Sequence, residues 1–410
     1  MLINIAKPDK SPHPVLNLGF RVFFLSSAAF AVITMLAWHL VLMGRINFHL
    51  MTIPNYWHGH EMLFGYACAV IAGFLLTAVK AWTGVPMPVG WRLFAIFLPW
   101  LVARVLWLVA PMASGGAVLL VLAWVADVLF WLLTTFAVTR AVLIVRQKRQ
   151  IGIVAKLILL LICQLAFGVG VLMGCQTVQQ LSLYVALFLI VGVVFTIGRR
   201  VLPFFIEKGI SVNNDGTPSG VQVKLANSAL LDKASLFGFF GLMVVYLAYP
   251  KPILVSLLAV LVALVNVVRL VYWYHRGIWQ KPLLWSLYLS FWGMVLSLLL
   301  IAILPWIDAN PSLGVHSLAL TAIGMTTVAM MARVSLGHTG RNIHQPPKLV
   351  SVMFVLMIAS FVLRVLAPLF FDNYLGLIAA SQGCWIVCFV LFLVAYTRIL
   401  LSPRVDGLMG

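Results

Sequence analysis

The chain has 410 residues, 63% of them apolar and only 9% charged, with 27 Lys and Arg against 9 Asp and Glu for a net charge of +18. Soluble domains carry about a quarter charged residues, so this composition, with a mean hydropathy of +1.10, excludes a water-soluble fold and points to an integral membrane protein. No basic run with interleaved aromatics accompanies the charge, which excludes nucleic acid as a partner and leaves loop placement as its explanation.

Apolar runs of the roughly 17–25 residues that cross a bilayer predict an all-α polytopic fold of about twelve transmembrane helices. In chain order they fall at about Phe20–Met43, His58–Val79, Leu93–Ala110, Ala117–Thr139, Val154–Cys175, Leu181–Gly198, Ala234–Tyr249, Ile253–Tyr272, Leu283–Trp306, Leu313–Ala332, Leu349–Phe370 and Tyr374–Leu400. Very short connections such as Ala110–Ala117 and Tyr249–Ile253 make neighbouring spans antiparallel hairpins. Of the 27 basic residues, all but Arg45, Lys251, Arg104 and Arg364 then fall on the side that holds both termini, and the positive-inside rule makes that side cytoplasmic. The first span has no small-residue cleavage site and is expected to be a retained helix. The longest polar stretch, with Asn213-Asn214-Asp215-Gly216, reads as a cytoplasmic connector over 207–233 between six-span halves at 1–206 and 234–410. The five cysteines lie in or at the edge of apolar runs with no CxxC spacing, so Cys384 and Cys388 read as core thiols.

Against this apolar background the polar residues stand out. His39, His49, His58, His60 and His316 gather towards the outer side, and an intramembrane histidine is a functional-site hypothesis by default. Tyr56-Trp57-His58-Gly59-His60-Glu61-Met62 is the densest group. Positions i and i+2 lie about 200° apart on a helix, so His58 and His60 serve different neighbours unless His58 is still in the loop. Glu61 sits above Gly65, Ala69 and Gly73, a small-residue row that admits either a close helix or a flat macrocycle such as haem. An aromatic-belt role beside Tyr56 and Trp57 is the alternative for both histidines.

Arg104 and Arg364 each lie about six residues inside a span end, roughly 9 Å deep at 1.5 Å per residue. A haem propionate or Asp127 in the fourth span would serve as the anionic partner of Arg104, and a propionate that of Arg364. His316 opens the tenth span, where a bis-His haem would pair it with His60, and copper would draw on His39, His49 or His58.

These motifs carry a family resemblance. Phe20-Arg21-Val22-Phe23-Phe24-Leu25, Trp57-His58-Gly59-His60-Glu61-Met62-Leu63-Phe64-Gly65-Tyr66, Gly198-Arg199-Arg200-Val201-Leu202-Pro203 and Ala332-Arg333-Val334-Ser335-Leu336-Gly337-His338-Thr339-Gly340-Arg341 resemble the NnrS family of bacterial membrane proteins across essentially the whole chain. The resemblance implies a twelve-span inner-membrane protein containing haem b and copper, linked to nitric oxide metabolism and protection from nitrosative stress. His58, His60, Glu61, His316 and His338 match the family blocks; His39 and His49 do not. Heme-copper oxidases and their NO-reducing relatives also have twelve core spans and a helix bearing His-x-His, but this chain has no His-His pair and too few span histidines for their ligand set.

Two classes of function are compatible with this reading. One is a haem protein that binds or reduces nitric oxide, with Glu61 and Asp127 handling protons and a quinol or cytochrome c donating electrons. The other is a secondary transporter of the major-facilitator plan, although Lys80-Ala81-Trp82-Thr83-Gly84-Val85-Pro86 lacks the acidic residue expected between its second and third spans.

Overall fold

The computed structural model describes residues 13–46, 52–113 and 115–410. Twelve helices among them are long and apolar enough to cross a membrane: α1 (Gly19–Leu42), α2 (Pro54–Thr83), α3 (Trp91–Met112), α4 (Gly116–Ile144), α5 (Lys148–Leu172), α6 (Gln176–Ile210), α7 (Ala229–Ala248), α8 (Pro252–Tyr272), α9 (Pro282–Trp306), α10 (Ser312–His338), α11 (Leu349–Leu369) and α12 (Tyr374–Leu401). The chain is a multi-pass helical membrane protein, as its hydropathy requires: in lipid the backbone can satisfy its own polar groups only within helices or closed barrels.

Helix ends follow local chemistry. Proline at the first helical position opens α2, α8 and α9, where a missing N–H costs nothing. Gly84, at φ 72°, closes α2 in the left-handed conformation that glycine adopts without strain. The largest departure from the expected spans is α6, which runs on through Arg199, Arg200 and Pro203 to Ile210. Polarity marks where a span leaves the apolar layer, not where its helix stops, and Arg, Leu, Glu and Lys are all good helix formers. The stretch after it holds a turn closed by Asn213 N–H to the Thr217 carbonyl, and Ser228 caps α7 through the Leu231 N–H.

Within three spans the winding loosens from α to π geometry, at Glu61–Ala67 in α2, Ala319–Met325 in α10 and Val362–Leu366 in α11. No sequence signal announced these segments.

The described chain forms two compact units. The first is Met1–Ile190 with His338–Arg341 and Leu393–Gly410; the second is Val191–Gly337 with Asn342–Phe392. The boundary between them lies inside α6 rather than in the polar stretch 207–233.

In the first unit α1 and α2 approach closely through glycine. A Cβ on Gly73 would stand 2.7 Å from Phe23 Cβ, and one on Gly65 2.6 Å from Arg104 Nη1 and 2.7 Å from Phe30. The small-residue row is thus covered by α1 and by Arg104. Gly73→Leu is expected to destabilise the protein by about 1–3 kcal/mol through overpacking, read as a lower melting temperature in detergent; an unchanged melt would disprove the tight α1–α2 contact.

Candidate functional site

The first unit buries a four-residue polar group. His60 and Glu61 come from α2, Arg104 from α3 and Asp127 from α4, and none is more than 2% exposed. Arg104 contacts both carboxylates: Nη2 donates to Asp127 Oδ1, and Nη1 lies 2.6 Å from Glu61 Oε2 in a charge contact off the line of an N–H bond. His60 Nδ1 lies 2.8 Å from Glu61 Oε1, and its Nε2 lies 3.1 Å from the Gln164 amide and 3.7 Å from Asp127 Oδ2. A neutral imidazole that donates from Nδ1 to Glu61 and accepts at Nε2 from Gln164 satisfies both contacts.

Aromatic rings enclose the group. The His60 ring packs 4.5 Å from Trp107 and 4.6 Å from Phe167, centroid to centroid. Trp107 Nε1 donates to Asp127 Oδ2 at 2.8 Å, and Trp57 Nε1 to the Trp107 carbonyl at 3.2 Å. Trp100 Nε1 donates at 2.8 Å to the Gly65 carbonyl, inside the π segment, where the loosened turn meets a neighbouring donor.

Two carboxylates, Glu61 and Asp127, lie against the single guanidinium of Arg104, and burial makes an unbalanced charge costly. Glu61 Oε1, His60 and Asp127 Oδ2 form a short line of polar contacts.

The second unit holds a different arrangement around His316 of α10 and Arg364 of α11. His316 Nδ1 donates to the Ser312 carbonyl at 2.8 Å, one turn earlier, which fixes the tautomer and leaves Nε2 as the acceptor nitrogen. Arg364 Nη2 lies 3.3 and 3.5 Å from the two ring nitrogens and donates to Ser312 Oγ at 3.3 Å, and the guanidinium stands over Tyr374 at 5.6 Å. Its Nη1 is buried with no hydrogen-bond partner, and no carboxylate among the described residues pairs with it. The same α2-to-α3 relation of a histidine, a π segment and an arginine on the next span therefore recurs from α10 to α11, without the acids.

The remaining candidates lie elsewhere. His58 stacks on Trp38 at 4.6 Å with planes 9° apart, so it and His60 do serve different neighbours. His39 is half-buried near the end of α1, and His49 lies outside the described residues. Among the described residues no three of His, Cys, Asp and Glu are grouped to hold a metal ion. His60 and His316 belong to different units, each with the surroundings given above. Arg21, of the first motif, is fully buried and caps the end of α12, donating to the Leu400 and Ser402 carbonyls at 2.7 Å.

Sequence reasoning missed Gln164, Trp107 and Trp100 as site residues. Trp100, Arg104 and Trp107 lie at i, i+4 and i+7 on α3, so a shared face was readable, and a glutamine in the middle of α5 was a further signal. It also missed an ion pair of the second unit, in which Arg269 donates to Asp232 Oδ1 at 2.9 Å and to Asn266 Oδ1 at 2.7 Å.

Comparison with known proteins finds that the family described as NnrS protein matches residues 14–404. No curated protein matches the chain.

Proposed function

Because the chain belongs to the NnrS family, we propose that it is a haem-containing membrane protein that takes up nitric oxide and reduces it, with the haem held at His316 and protons managed at His60, Glu61, Arg104 and Asp127. One observation carries this reading. All three π segments among the described residues fall on these two groups: one begins at Glu61, one begins three residues after His316, and one contains Arg364. Such segments are rare and cluster at functional sites.

The second group suits a haem better than the first. His316, with Nδ1 committed to the Ser312 carbonyl, would hold the haem through Nε2, and the partnerless Nη1 of Arg364 would suit a propionate. At His60 the ring is packed against Trp107 and Phe167 with Nδ1 on Glu61, and the faces of Gly65 and Gly73 are filled by Arg104, Phe30 and Phe23. We therefore assign His60 to the proton group and not to iron. Arg104, already neutralised, is likewise released from a propionate role. The absence of a three-ligand cluster among the described residues gives copper no support.

A haem supplies iron that binds nitric oxide and exchanges electrons with it. Reduction of two NO to N2O and water consumes two electrons, from a quinol or cytochrome c, and two protons. The chain's part is to pass a proton in a dry site: His60 Nδ1 and Glu61 Oε1 are in contact, Arg104 offsets the carboxylates, and Trp57, Trp107 and Phe167 exclude water. Nitric oxide is small and apolar, so the bilayer itself delivers it.

Purified protein in mild detergent should show a Soret band with stoichiometric iron, a spectral change on NO addition to the reduced form, and N2O accumulation. Absence of iron would rule out the haem reading, whereas NO binding without N2O would make the protein a sensor. In the same assay Glu61→Gln, which removes the exchangeable proton, is expected to lower NO turnover by about 10²–10⁴-fold while leaving the Soret band; unchanged turnover would remove Glu61 from proton handling.

A further inference from the structure

We infer that α4 carries a row of bound water that leads from its Arg140 end towards Asp127 and lets protons reach the buried group of the first unit. The water row stands on the geometry of that unit. Its use for protons rests on the assignment of His60, Glu61 and Asp127 to proton handling.

Threonine and serine inside a helix can spend the hydroxyl on a carbonyl three or four residues earlier. In the first unit Thr77 donates to the Gly73 carbonyl and Thr83 to that of Val79, both at 2.8 Å, and Ser182 donates to that of Val178 at 2.7 Å. Thr134, Thr135 and Thr139 of α4 do not. Each hydroxyl oxygen is buried with no hydrogen-bond partner, and the side chains of Thr134 and Thr135 are 0% and 6% exposed. Among the described residues of this unit Thr34 is the one other serine or threonine in that condition, so three of the four fall within six residues of α4.

Seven residues make two helical turns to within about 20°, so Thr134 lies on the face of Asp127, about 10 Å further along the axis. Thr135 and Thr139 are one turn apart and carry the row to within five residues of the helix end at Ile144. The bulky neighbours on α4 are engaged elsewhere: Trp131 donates to the Leu157 carbonyl of α5 at 3.0 Å, and Phe130 packs on Phe23 of α1 at 5.6 Å. The stretch of α2 that packs on α4, Cys68–Thr83, opens with the small residues Cys68, Ala69 and Ala72.

At the Asp127 end a further acceptor is unmet. Gln164 Oε1 is buried with no partner, although the nitrogen of the same amide lies 3.1 Å from His60 Nε2. An apolar ligand would leave these oxygens as they are, whereas water offers each of them a donor and each hydroxyl an acceptor. Along such a row a proton taken up at one end releases another at the far end. The hydroxyls are regenerated and no further reactant is consumed.

The test uses the full-length protein in mild detergent. Thr134→Val combined with Thr135→Val keeps the shape of both side chains and removes both hydroxyls. Hydroxyl radicals generated by X-rays label side chains beside bound water, so Phe130 and Trp131, each 2% exposed, are expected to be labelled in the wild type and at least about threefold less in the variant. The melting temperature of the variant is expected to stay or fall, since hydroxyls that hold water are satisfied; dry, unpaired ones would make the variant more stable. No label on either ring of the wild type, equal label in both proteins, or a raised melting temperature overturns the water row. Nitric oxide turnover is expected to drop by about tenfold or more with the Soret band unchanged, and unchanged turnover overturns the proton route. A wild type without iron removes the functional reading instead, and the labelling still decides the row.

Discussion

Arg104→Met is expected to remove folded protein from the membrane fraction, at a cost of about 3–5 kcal/mol. The substitution keeps the volume of the side chain but leaves Glu61 and Asp127 facing each other in a dry site, without the cation that contacts both. The cost is that of uncompensated buried charge, so it should disappear with the charge. The triple variant Arg104→Met, Glu61→Gln, Asp127→Asn is accordingly expected to recover most of the lost stability, since replacing all members of a buried ionic group is often neutral. Thermal unfolding followed by size exclusion reads both proteins. A single variant that melts with wild type, or a triple variant no better than the single one, would show that the group is not held together by charge.

His316→Ala is the second large effect. Its Nε2 is the acceptor nitrogen once Nδ1 is committed to the Ser312 carbonyl, so the variant is expected to lose at least about nine-tenths of its haem, a tenfold or greater drop in affinity. His60→Ala should instead retain the Soret band and lose NO turnover, because that imidazole contacts Glu61 and Gln164 of the proton group. Iron content and dithionite-reduced spectra separate the two. Retention of haem by His316→Ala together with loss in His60→Ala would reverse the assignment made here.

The two arginine-histidine groups differ in their counter-charges. In the first unit the arginine arrives with its counter-charges on Glu61 and Asp127, and the imidazole is enclosed beside Glu61. In the second, the residue after His316 is Ser317, which spends its hydroxyl on the Gly314 carbonyl, and Arg364 keeps an unmet donor. The difference rests on a few side chains set on a repeated local geometry.

Hydropathy, charge and motif content were enough to identify the twelve spans, the NnrS family and most of the polar residues that matter, because each is a property of residue type along a line. Even the Arg104–Asp127 pair was one of two partners legible from depth, since both residues sit at a similar level in adjacent spans. What the line could not convey was which polar groups share a space. Glu61 as a second partner for Arg104, and the enclosure by Trp107, Phe167 and Gln164, depend on which faces of α2, α3, α4 and α5 meet. The π segments add to this, since each turn holds more residues than an α turn and so changes the faces that follow. Whether a glycine row takes a macrocycle or a neighbouring helix is likewise settled only by packing: Phe23, Phe30 and Arg104 fill it. Sequence alone thus determined a multi-pass membrane protein of this family and its reserve of buried charge. Only the tertiary structure decided which charges neutralise one another, because neutralisation in a low-dielectric interior is a matter of a few ångströms between helices.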